Sequence, residues 1–373
     1  MKYWYVFIVV CCFSCNTQKR NSKNSIDSNT TSSFHDRKPR NVIFMIGDGM
    51  GLSQITAGLY MNKGQLQLER CKHIGLIKIH SADNLNCDSA SGASAFSIGK
   101  KTKDTYLGVD SNKVTHETIL EEAERRNFAT GMVVTSTIVH ATPAAFVSHR
   151  AGRNDYEGIA LDFLKVDCDL IIGGGKKYFE RRESDSLNLI SNLISNGYFV
   201  TDYFEQDYQS WVLPDVKKIV YFTADGDPLP KMNGRDYLPK ASIDAIKFLD
   251  NKKTNGFFLM IEGSQIDWGG HANEGDYIQS EVLDFDAAIK NVLDFAELDK
   301  HTLVVITADH EAGGLAINPG SVLGKLKYGF TTKHHTASMV PVFAFGPGAE
   351  EFIGIYENTE IHQKMIKLLF QKK

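Results

Sequence analysis

A serine at the start of a run of small side chains is the first candidate nucleophile in this sequence. Ser89 follows Asp88 and opens the run Ala90 to Ala95, after which the chain reaches Lys101 and Thr102. If this run forms a closely packed helix, its unpaired N–H groups and the positive end of its dipole favour an alkoxide and a bound anion. The alternative is an ordinary small-residue helix whose first turn is capped by Asp88 or Ser89.

Acidic residues and histidines recur beside the apolar runs of the sequence, mostly directly after them. They are Asp48, Glu262, Asp267, His271, Asp309, His310 and His335. Asp267 and His271 are four residues apart, so one helical turn presents both to a single ion. Asp309 and His310 are adjacent and reach one ion only if the strand before them has already turned. Each residue alone has a simpler explanation as a capping aspartate or a hydrogen-bonded histidine, but their repeated position at strand ends favours one shared site.

Together these groups place more negative charge beside a serine than one pocket holds without cations. Imidazole with carboxylate ligands suits zinc, and carboxylate with hydroxyl ligands suits magnesium. Two zinc ions about 4 Å apart would stabilise the attacking and the leaving oxygens of an in-line phosphoryl displacement. A serine coordinated to one of them would be an activated nucleophile.

The elements that must position these groups alternate along the chain from Asn41 onwards. Strands are predicted at 42–46, 131–135, 170–172, 257–261, 302–307 and 340–345, and helices at 115–126, 187–194, 242–249 and 277–298. This alternation predicts an α/β fold with a mostly parallel central sheet sandwiched between helices, in which sites form at the carboxyl ends of the strands. We expect one domain over 41–373, with a peripheral elaboration around 176–254.

Composition excludes several classes of protein. The 373 residues are 42% hydrophobic, enough for a large core, and the net charge of -4 shows no basic footprint for a nucleic-acid-binding module. Only Cys71, Cys87 and Cys168 lie beyond the first 15 residues. Because an odd number of cysteines cannot all pair, the chain is not a disulfide scaffold, and their spacing matches no zinc cluster.

Residues 1–15 are typical of an export signal, with a positive charge and then an apolar run too short to span a bilayer. Ser14 precedes Cys15, which resembles the lipobox of bacterial lipoproteins, although Cys12 stands where leucine is usual. An ordinary cleaved signal peptide is the alternative. We expect an exported protein, periplasmic or at the cell surface and lipid-anchored at Cys15, with 16–40 as a disordered linker.

Six motifs occur in the order in which they occur in the alkaline phosphatase family, which this chain resembles from Asn41 to about Gly348. They are Ile46 to Gly51, Asp88 to Ala90, Ala141 to Pro143, Glu262 to Asp267, Thr307 to Glu311, and His335 with Thr336. The short connection from Gly313 to Lys333 makes the chain similar to the short bacterial enzymes, which lack a large inserted crown domain. The resemblance implies metal-dependent hydrolysis of phosphate monoesters through a covalent phosphoserine, with low selectivity for the alcohol.

The resemblance also implies a site with two Zn²⁺ and one Mg²⁺ per chain. Ser89 would be the nucleophile, and Arg153 would grip the non-bridging phosphate oxygens, a bidentate task that suits arginine. The implied ligands are Asp267, His271 and His335 for the first zinc, Asp48, Asp309, His310 and Ser89 for the second, and Asp48, His140, Thr142 and Glu262 for the magnesium. Without the resemblance, Arg153 has a simpler explanation as a solvated loop charge.

Two positions vary within the family. His140 stands where some bacterial members carry aspartate in the third metal site, which favours weaker binding of magnesium and competition by zinc. Trp268 stands where other members have lysine or histidine near the phosphate, and it is predicted to bind substrate or else to pack beside Gly269 and Gly270. A homodimer is expected by resemblance alone.

Other activities fit parts of the same pattern. A phosphodiesterase or sulfatase of the same superfamily would share the metal scaffold, but the sulfatase motif Cys/Ser-x-Pro-x-Arg is absent around Ser89. An inactive surface lipoprotein that binds metal or phosphate is the alternative without catalysis. The presence of the serine, of Arg153 and of every expected ligand favours an enzyme that acts on small phosphomonoesters.

Overall fold

A computed structural model describes Met1 and residues 38–370 of the chain. The predicted export signal and most of the predicted linker lie outside the described residues. Continuous described backbone runs from Lys38, and the Arg40 N–H donates to the His301 carbonyl before the first strand starts.

The strands are β1 (Asn41–Gly47), β2 (His73–Lys78), β3 (Ala129–Thr137), β4 (Leu170–Gly174), β5 (Tyr198–Asp202), β6 (Lys218–Phe222), β7 (Phe257–Gly263), β8 (Thr302–Thr307), β9 (Glu311–Ala312), β10 (Leu315–Ile317), β11 (Tyr328–Phe330), β12 (His335–Thr336), β13 (Val340–Phe345) and β14 (Gly354–Glu357). Within the described chain, ten of them form one sheet in the order β14-β2-β13-β8-β1-β7-β3-β4-β6-β5. Only β13 runs against its neighbours, β2 and β8, so the mostly parallel sheet that was predicted is confirmed.

The helices are α1 (Leu52–Met61), α2 (Ser89–Ile98), α3 (Ile119–Arg125), α4 (Ala141–Ala144), α5 (Tyr156–Asp162), α6 (Lys177–Glu180), α7 (Leu189–Ser195), α8 (Leu238–Asp250), α9 (Gln265–Ala272), α10 (Gly275–Asp299) and α11 (Thr359–Phe370). Gln67–Arg70, Lys231–Asn233 and Ala349–Phe352 form short 3₁₀ helices.

The central strands are buried on both faces, which explains why their sequences are continuous apolar runs rather than alternating ones. All seven residues of β1 and all seven of β7 are buried, as are all six of β8. The register aligns Ile46 with Glu262 on one side and with Thr307 on the other. The chain segments that follow these strands therefore emerge side by side at one edge of the sheet.

Helix boundaries differ from the prediction where local capping decides them. The helix predicted over 115–126 begins only at Ile119, because Thr115 pairs with Val109 in a β-bridge and Thr118 with Glu121 forms a capping box. The helix predicted over 187–194 likewise starts at Leu189, where the Asn188 side chain accepts the Ser191 N–H.

The segment 176–254, for which the sequence predicts a peripheral elaboration, has its two strands at one end of the sheet. It contributes β5 and β6, which extend the sheet by two parallel strands, and the amphipathic helix α8, which packs against α10 and β3. Cys71, Cys87 and Cys168 are all free and buried, which agrees with the prediction that the chain is not a disulfide scaffold. Across the described residues, no helix combines the length and the apolar character that crossing a bilayer requires.

Candidate active site

The carboxyl ends of β1, β7 and β8 bring the predicted acidic residues together. Asp48 follows β1, Glu262 lies at the end of β7 and Asp309 follows β8, and all three are fully buried. The turn after β1 requires Gly49, whose φ is +69° and whose missing side chain lets Asp267 approach: a Cβ there would lie 2.7 Å from the Asp267 Cα.

Ser89 is the first residue of α2, and Asp88 is its N-cap. One Asp88 carboxylate oxygen accepts the Ser91 N–H at 2.9 Å, so the capping alternative is correct for Asp88. The Ser89 Oγ lies 3.4 Å from the His310 Nε2. Gly92 is what lets the helix come this close, because a Cβ at that position would lie 2.9 Å from the Asp309 Cβ. Capping and close approach to the acidic cluster therefore occur together.

Asp48, Asp309 and His310 form one potential ligand cluster, with one donor atom from each within 4.8 Å of the others. The His310 Nε2 lies 3.3 Å from Asp48 and 3.4 Å from Asp309. The other Asp309 oxygen accepts the N–H groups of Gly49 and His310, which fixes the carboxylate across the turn. Adjacent Asp309 and His310 can face one point because the strand ends before them.

A second cluster contains Asp267, His310 and His335, and His271 joins it. The His271 Nε2 lies 3.3 Å from Asp267 and 3.1 Å from the His335 Nε2. The remaining nitrogen of each outer histidine is held by a backbone carbonyl, that of Lys333 for His271 and that of Cys87 for His335. These bonds turn both Nε2 atoms towards Asp267, the arrangement by which proteins orient metal-binding imidazoles.

The third cluster contains Asp48, His140 and Glu262. His140 and Thr142 lie at the start of α4, just after β3, and the Thr142 side chain is fully buried. Among the described residues, the Thr142 hydroxyl, the His140 Nδ1 and both Glu262 oxygens have no hydrogen-bond partner. Buried polar atoms normally have hydrogen-bond partners, so these four atoms without partners fit the ligands of a metal ion.

The pKa values of the buried acids and of His140 also favour bound cations at these clusters. Burial, with help from Asp309, Asp267 and Glu262, raises the pKa of Asp48 well above its usual range. Burial also raises the pKa of Asp309 to about 6 and that of Glu262 to about 8. It lowers the pKa of His140 to about 3, with Arg153 contributing. Without cations these carboxylates resist ionisation and the imidazole resists protonation, and bound cations would remove both conflicts.

Asp267 behaves differently from the other acids. Burial alone would raise its pKa, but hydrogen bonds from His271 and His335 hold it well below its usual range. The hydrogen bond with Asp267 raises the pKa of His271 to about 9. In this structure the two imidazoles thus stabilise the carboxylate with which they would share a metal.

A cavity of about 350 Å³ is lined by Ser89 and Arg153, and Asp267 and His335 form part of the same wall. Arg153 is held in place from two sides: its guanidinium donates to Asp88 at 3.0 Å and lies 3.3 Å from the His140 Nε2. The cation beside the serine supplies the positive charge that a phosphate dianion requires.

Trp268 does not form part of the cavity wall. It lies on α9 and packs edge to face on His140, with ring centroids 5.9 Å apart. The indole thus contacts a residue of the third cluster, and substrate binding by Trp268 stays a prediction.

Comparisons with known proteins agree with this geometry. The family model for alkaline phosphatase matches residues 39–328 and 322–370. The chain belongs to the alkaline phosphatase family. It is an enzyme, and the family and the fold together support hydrolysis of phosphate monoesters. Metal dependence is a property of the family, and the described residues include groups able to bind metal.

Several relatives in the alkaline phosphatase family resemble the chain over most of its length. Alkaline phosphatase 3 of Bacillus subtilis is 32% identical, and the alignment covers 88% of this chain and 89% of the relative. The structure of alkaline phosphatase from the Antarctic bacterium TAB5 is 41% identical, with a TM-score of 0.84, and covers 90% of this chain and 99% of the TAB5 chain. A TAB5 variant with aspartate in place of a histidine, solved with Mg bound in the M3 site, superposes with a TM-score of 0.85 at 40% identity over the same shares of the two chains.

The sequence did not reveal every residue that shapes this alkaline phosphatase site. The ion pair of Asp88 with Arg153 joins residues 65 positions apart. Glu311 was noted only as part of a motif, yet its carboxylate accepts hydrogen bonds from Gln54 at 2.6 Å and from Thr336. Glu311 thereby ties α1 to the strand that carries His335. The position of Glu311 directly after Asp309 and His310 was the signal in the sequence that could have identified it as part of the site.

Proposed function

We propose that this enzyme transfers the phosphoryl group of a phosphate monoester to Ser89 and then to water, releasing the alcohol and inorganic phosphate. The observation that carries the proposal is the convergence of Ser89, Arg153 and the potential metal ligands Asp267, His271 and His335 on one cavity. Behind them lie the buried carboxylates of Asp48, Glu262 and Asp309, which have oxygens without hydrogen-bond partners among the described residues. A nucleophile, a phosphate-binding cation and metal-binding groups are the parts that phosphoryl transfer requires.

The donor sets fit two zinc ions and one magnesium ion. The proposed ligands are Asp267, His271 and His335 for the first zinc, Asp48, Asp309, His310 and Ser89 for the second, and Asp48, His140, Thr142 and Glu262 for the magnesium. When bound, such cations supply Lewis-acid stabilisation to oxygens that gain negative charge during phosphoryl transfer.

The residues of the chain carry out the rest of the proposed reaction. The Ser89 Oγ forms a bond to phosphorus as the bond from phosphorus to the alcohol oxygen breaks. A water oxygen then bonds to phosphorus as the Ser89 Oγ leaves. Arg153, anchored by Asp88, holds the non-bridging oxygens throughout, and the start of α2 directs backbone N–H groups towards the negative charge.

Low selectivity for the alcohol is part of the proposal. Every described residue that lines the cavity is polar, including Asn84, Asn86 and His334 at its rim. Sites that enclose an organic group are usually lined mostly by apolar and aromatic side chains, which the described lining of this cavity does not include. The shared requirement among substrates is therefore the phosphate itself.

The third metal site is proposed to discriminate weakly between magnesium and zinc. His140 contributes an imidazole nitrogen, a donor that suits zinc better than magnesium. The TAB5 variant with aspartate at a histidine position was solved with Mg in its M3 site. His140→Asp in this chain is accordingly expected to raise the affinity for magnesium, which isothermal titration of the metal-depleted protein would measure.

The test of the proposed function is Ser89→Ala, with Ser97→Ala as the matched control. Ser97 lies on the same helix and donates to the Ala145 carbonyl, so the control removes one buried hydroxyl outside the cavity. Ser89→Ala should keep its zinc and magnesium content by elemental mass spectrometry and lose hydrolysis of p-nitrophenyl phosphate, while Ser97→Ala stays active. Near-normal turnover by Ser89→Ala would refute the proposal, and faster turnover of the diester or the sulfate would favour the related activities.

We also propose that the protein is exported, lipid-anchored at Cys15 and homodimeric. The first two proposals are supported by the signal-like residues 1–15 and the last by family resemblance. Mass spectrometry of the mature N-terminus would identify the lipid, and sedimentation equilibrium would give the oligomeric state.

A further inference from the structure

A long groove lies between α8 and the loop that leads into β6. Its volume is about 1090 Å³, and we call it the lysine groove after Lys217, Lys240, Lys247, Lys252 and Lys253, which line it. Lys217 directly precedes β6, and Lys252 and Lys253 lie between α8 and β7. That end of the groove is at the edge where the parallel strands begin, whereas the catalytic cavity lies where they end.

Positive charge in the lysine groove is only partly neutralised. Lys240 pairs with Asp244 at 2.7 Å, and Lys252 pairs with Asp169 at 2.8 Å. The three other lysines are exposed and have no ion pair among the described residues. The remaining acidic residue of the groove is Asp215. Three unpaired ammonium groups against one carboxylate make this a local basic surface on a chain whose net charge is -4.

Apolar side chains lie beside these charges. Val212 is 83% exposed, next to the partly buried Leu213 and Pro214, and all three line the groove above the buried Trp211. Exposed aliphatic groups flanked by lysines are the composition of surfaces that rest in the headgroup region of a bilayer, where lysine stems can extend towards lipid phosphates.

Arg40, the residue before the first strand, lies at the same end of the groove. Arg40, just before β1, pairs with Asp250 at the end of α8 at 3.4 Å, and Asn251 to Lys253 of the groove follow directly. Only 22 residues separate Cys15 from Lys38. A chain of that length spans at most about 75 Å even when fully extended, so an anchor at Cys15 would tether the protein to the membrane through this edge. This step rests on the lipid anchor proposed above.

We propose that the lysine groove binds the headgroups of anionic phospholipids and thereby orients the catalytic cavity away from the bilayer. Charge selects this occupant over the segment 16–37 of the chain itself, which carries four basic and two acidic residues and is repelled by the lysines. Juxtamembrane lysines are attracted to anionic lipid by about 1 kcal/mol each, which is about fivefold in affinity.

The experiment is lysine footprinting of the full chain reconstituted in vesicles. An amine-acetylating reagent is applied in phosphatidylcholine vesicles and in vesicles with an equal share of phosphatidylglycerol, and peptide mass spectrometry gives the rate at each lysine. Acetylation of Lys217, Lys247 and Lys253 should slow at least about fivefold in the anionic vesicles. Lys103 and Lys333, exposed on the cavity side, are internal controls and should not change.

A triple variant separates the groove from the anchor. In the unaltered protein we also expect slower acetylation of Lys240 and Lys252 in anionic vesicles, because they line the same groove. Lys217→Glu, Lys247→Glu and Lys253→Glu together should remove this protection of Lys240 and Lys252 while the phosphatase activity stays unchanged. Equal acetylation in both vesicle types, in protein that co-sediments with them, would overturn the groove proposal and leave the anchor intact. Protection by soluble polyphosphate but not by vesicles would identify a polyanion site and overturn the lipid assignment. Protein that sediments with neither vesicle would overturn both the anchor and the groove, and hydrolysis of p-nitrophenyl phosphate in the same samples tests the proposed catalysis separately.

Discussion

Gly92→Ala tests whether close packing of α2 sets the position of the nucleophile. The added Cβ would lie 2.9 Å from the Asp309 Cβ, so the helix or the turn must move by about 0.5 Å to restore ordinary contact. Because a displacement of 1 Å in an active site can cost about 100-fold in rate, kcat is expected to fall about tenfold. Stability should change less: alanine gains about 1 kcal/mol of helix propensity, and overpacking costs about 1–3 kcal/mol.

The assay is steady-state hydrolysis of p-nitrophenyl phosphate at saturating metal, with urea unfolding of the same samples. Gly58→Ala is the matched control. Gly58 lies in α1, and an added Cβ there would lie 2.5 Å from the Val282 Cγ1 of α10, away from the cavity. We expect the control to lose stability and to keep its kcat. A kcat for Gly92→Ala within twofold of the wild type would refute the idea that this contact positions the serine.

Three further predictions concern the surroundings of the site and the stability of the fold. Asp88→Asn keeps the N-cap of α2 but removes the charge that anchors Arg153, so KM should rise severalfold in steady-state assays. Asp88→Ala also removes the cap, so its free energy of unfolding in urea should be lower by about 1 kcal/mol than that of Asp88→Asn. Equal stability of the two variants would contradict the capping role. Chelation of divalent cations leaves the negative charge of Glu262 and its acidic neighbours uncompensated, so the midpoint of thermal unfolding in calorimetry should fall by roughly 5–10 °C and recover when zinc and magnesium are added back. An unchanged midpoint would count against bound cations. Burial opposes the charge on His149, but hydrogen bonds to Glu121 and to a backbone carbonyl raise its pKa above the unfolded value. Protonated His149 should therefore contribute about 1 kcal/mol to the free energy of unfolding below its unfolded pKa of about 6.5, and this contribution should disappear as pH rises through the higher folded pKa. The wild type and His149→Gln should accordingly differ in unfolding free energy at acidic pH and converge at alkaline pH.

The sequence predicts the central strands well because burial on both faces leaves a strong local signal. Continuous apolar runs marked β1, β7 and β8, and each run is followed within two residues by an acidic group of the site or ends on one. Parallel strands align their carboxyl ends, so the meeting of Asp48, Glu262 and Asp309 followed from topology alone.

Other features depend on contacts between distant parts of the chain and left no local pattern. β5 and β6 lie in a segment with mixed polarity, and their place at the edge of the sheet is fixed because β6 pairs with β4 and β5 pairs with β6. The ion pair of Asp88 with Arg153 depends on how the loop after α4 folds back over α2. Trp268 carried two interpretations in sequence, and its edge-to-face contact with His140 joins residues too far apart in the chain to be predicted from spacing.

Rapid-quench trapping of a phosphorylated enzyme tests the central claim most directly. The enzyme is mixed with labelled phosphomonoester, quenched in acid and digested, and mass spectrometry locates the phosphoryl group. We expect a single phosphoryl group on Ser89, formed as fast as the first alcohol is released and absent from the Ser89→Ala protein. Release of alcohol and phosphate together, with no label on Ser89 at any time during turnover, would contradict the account.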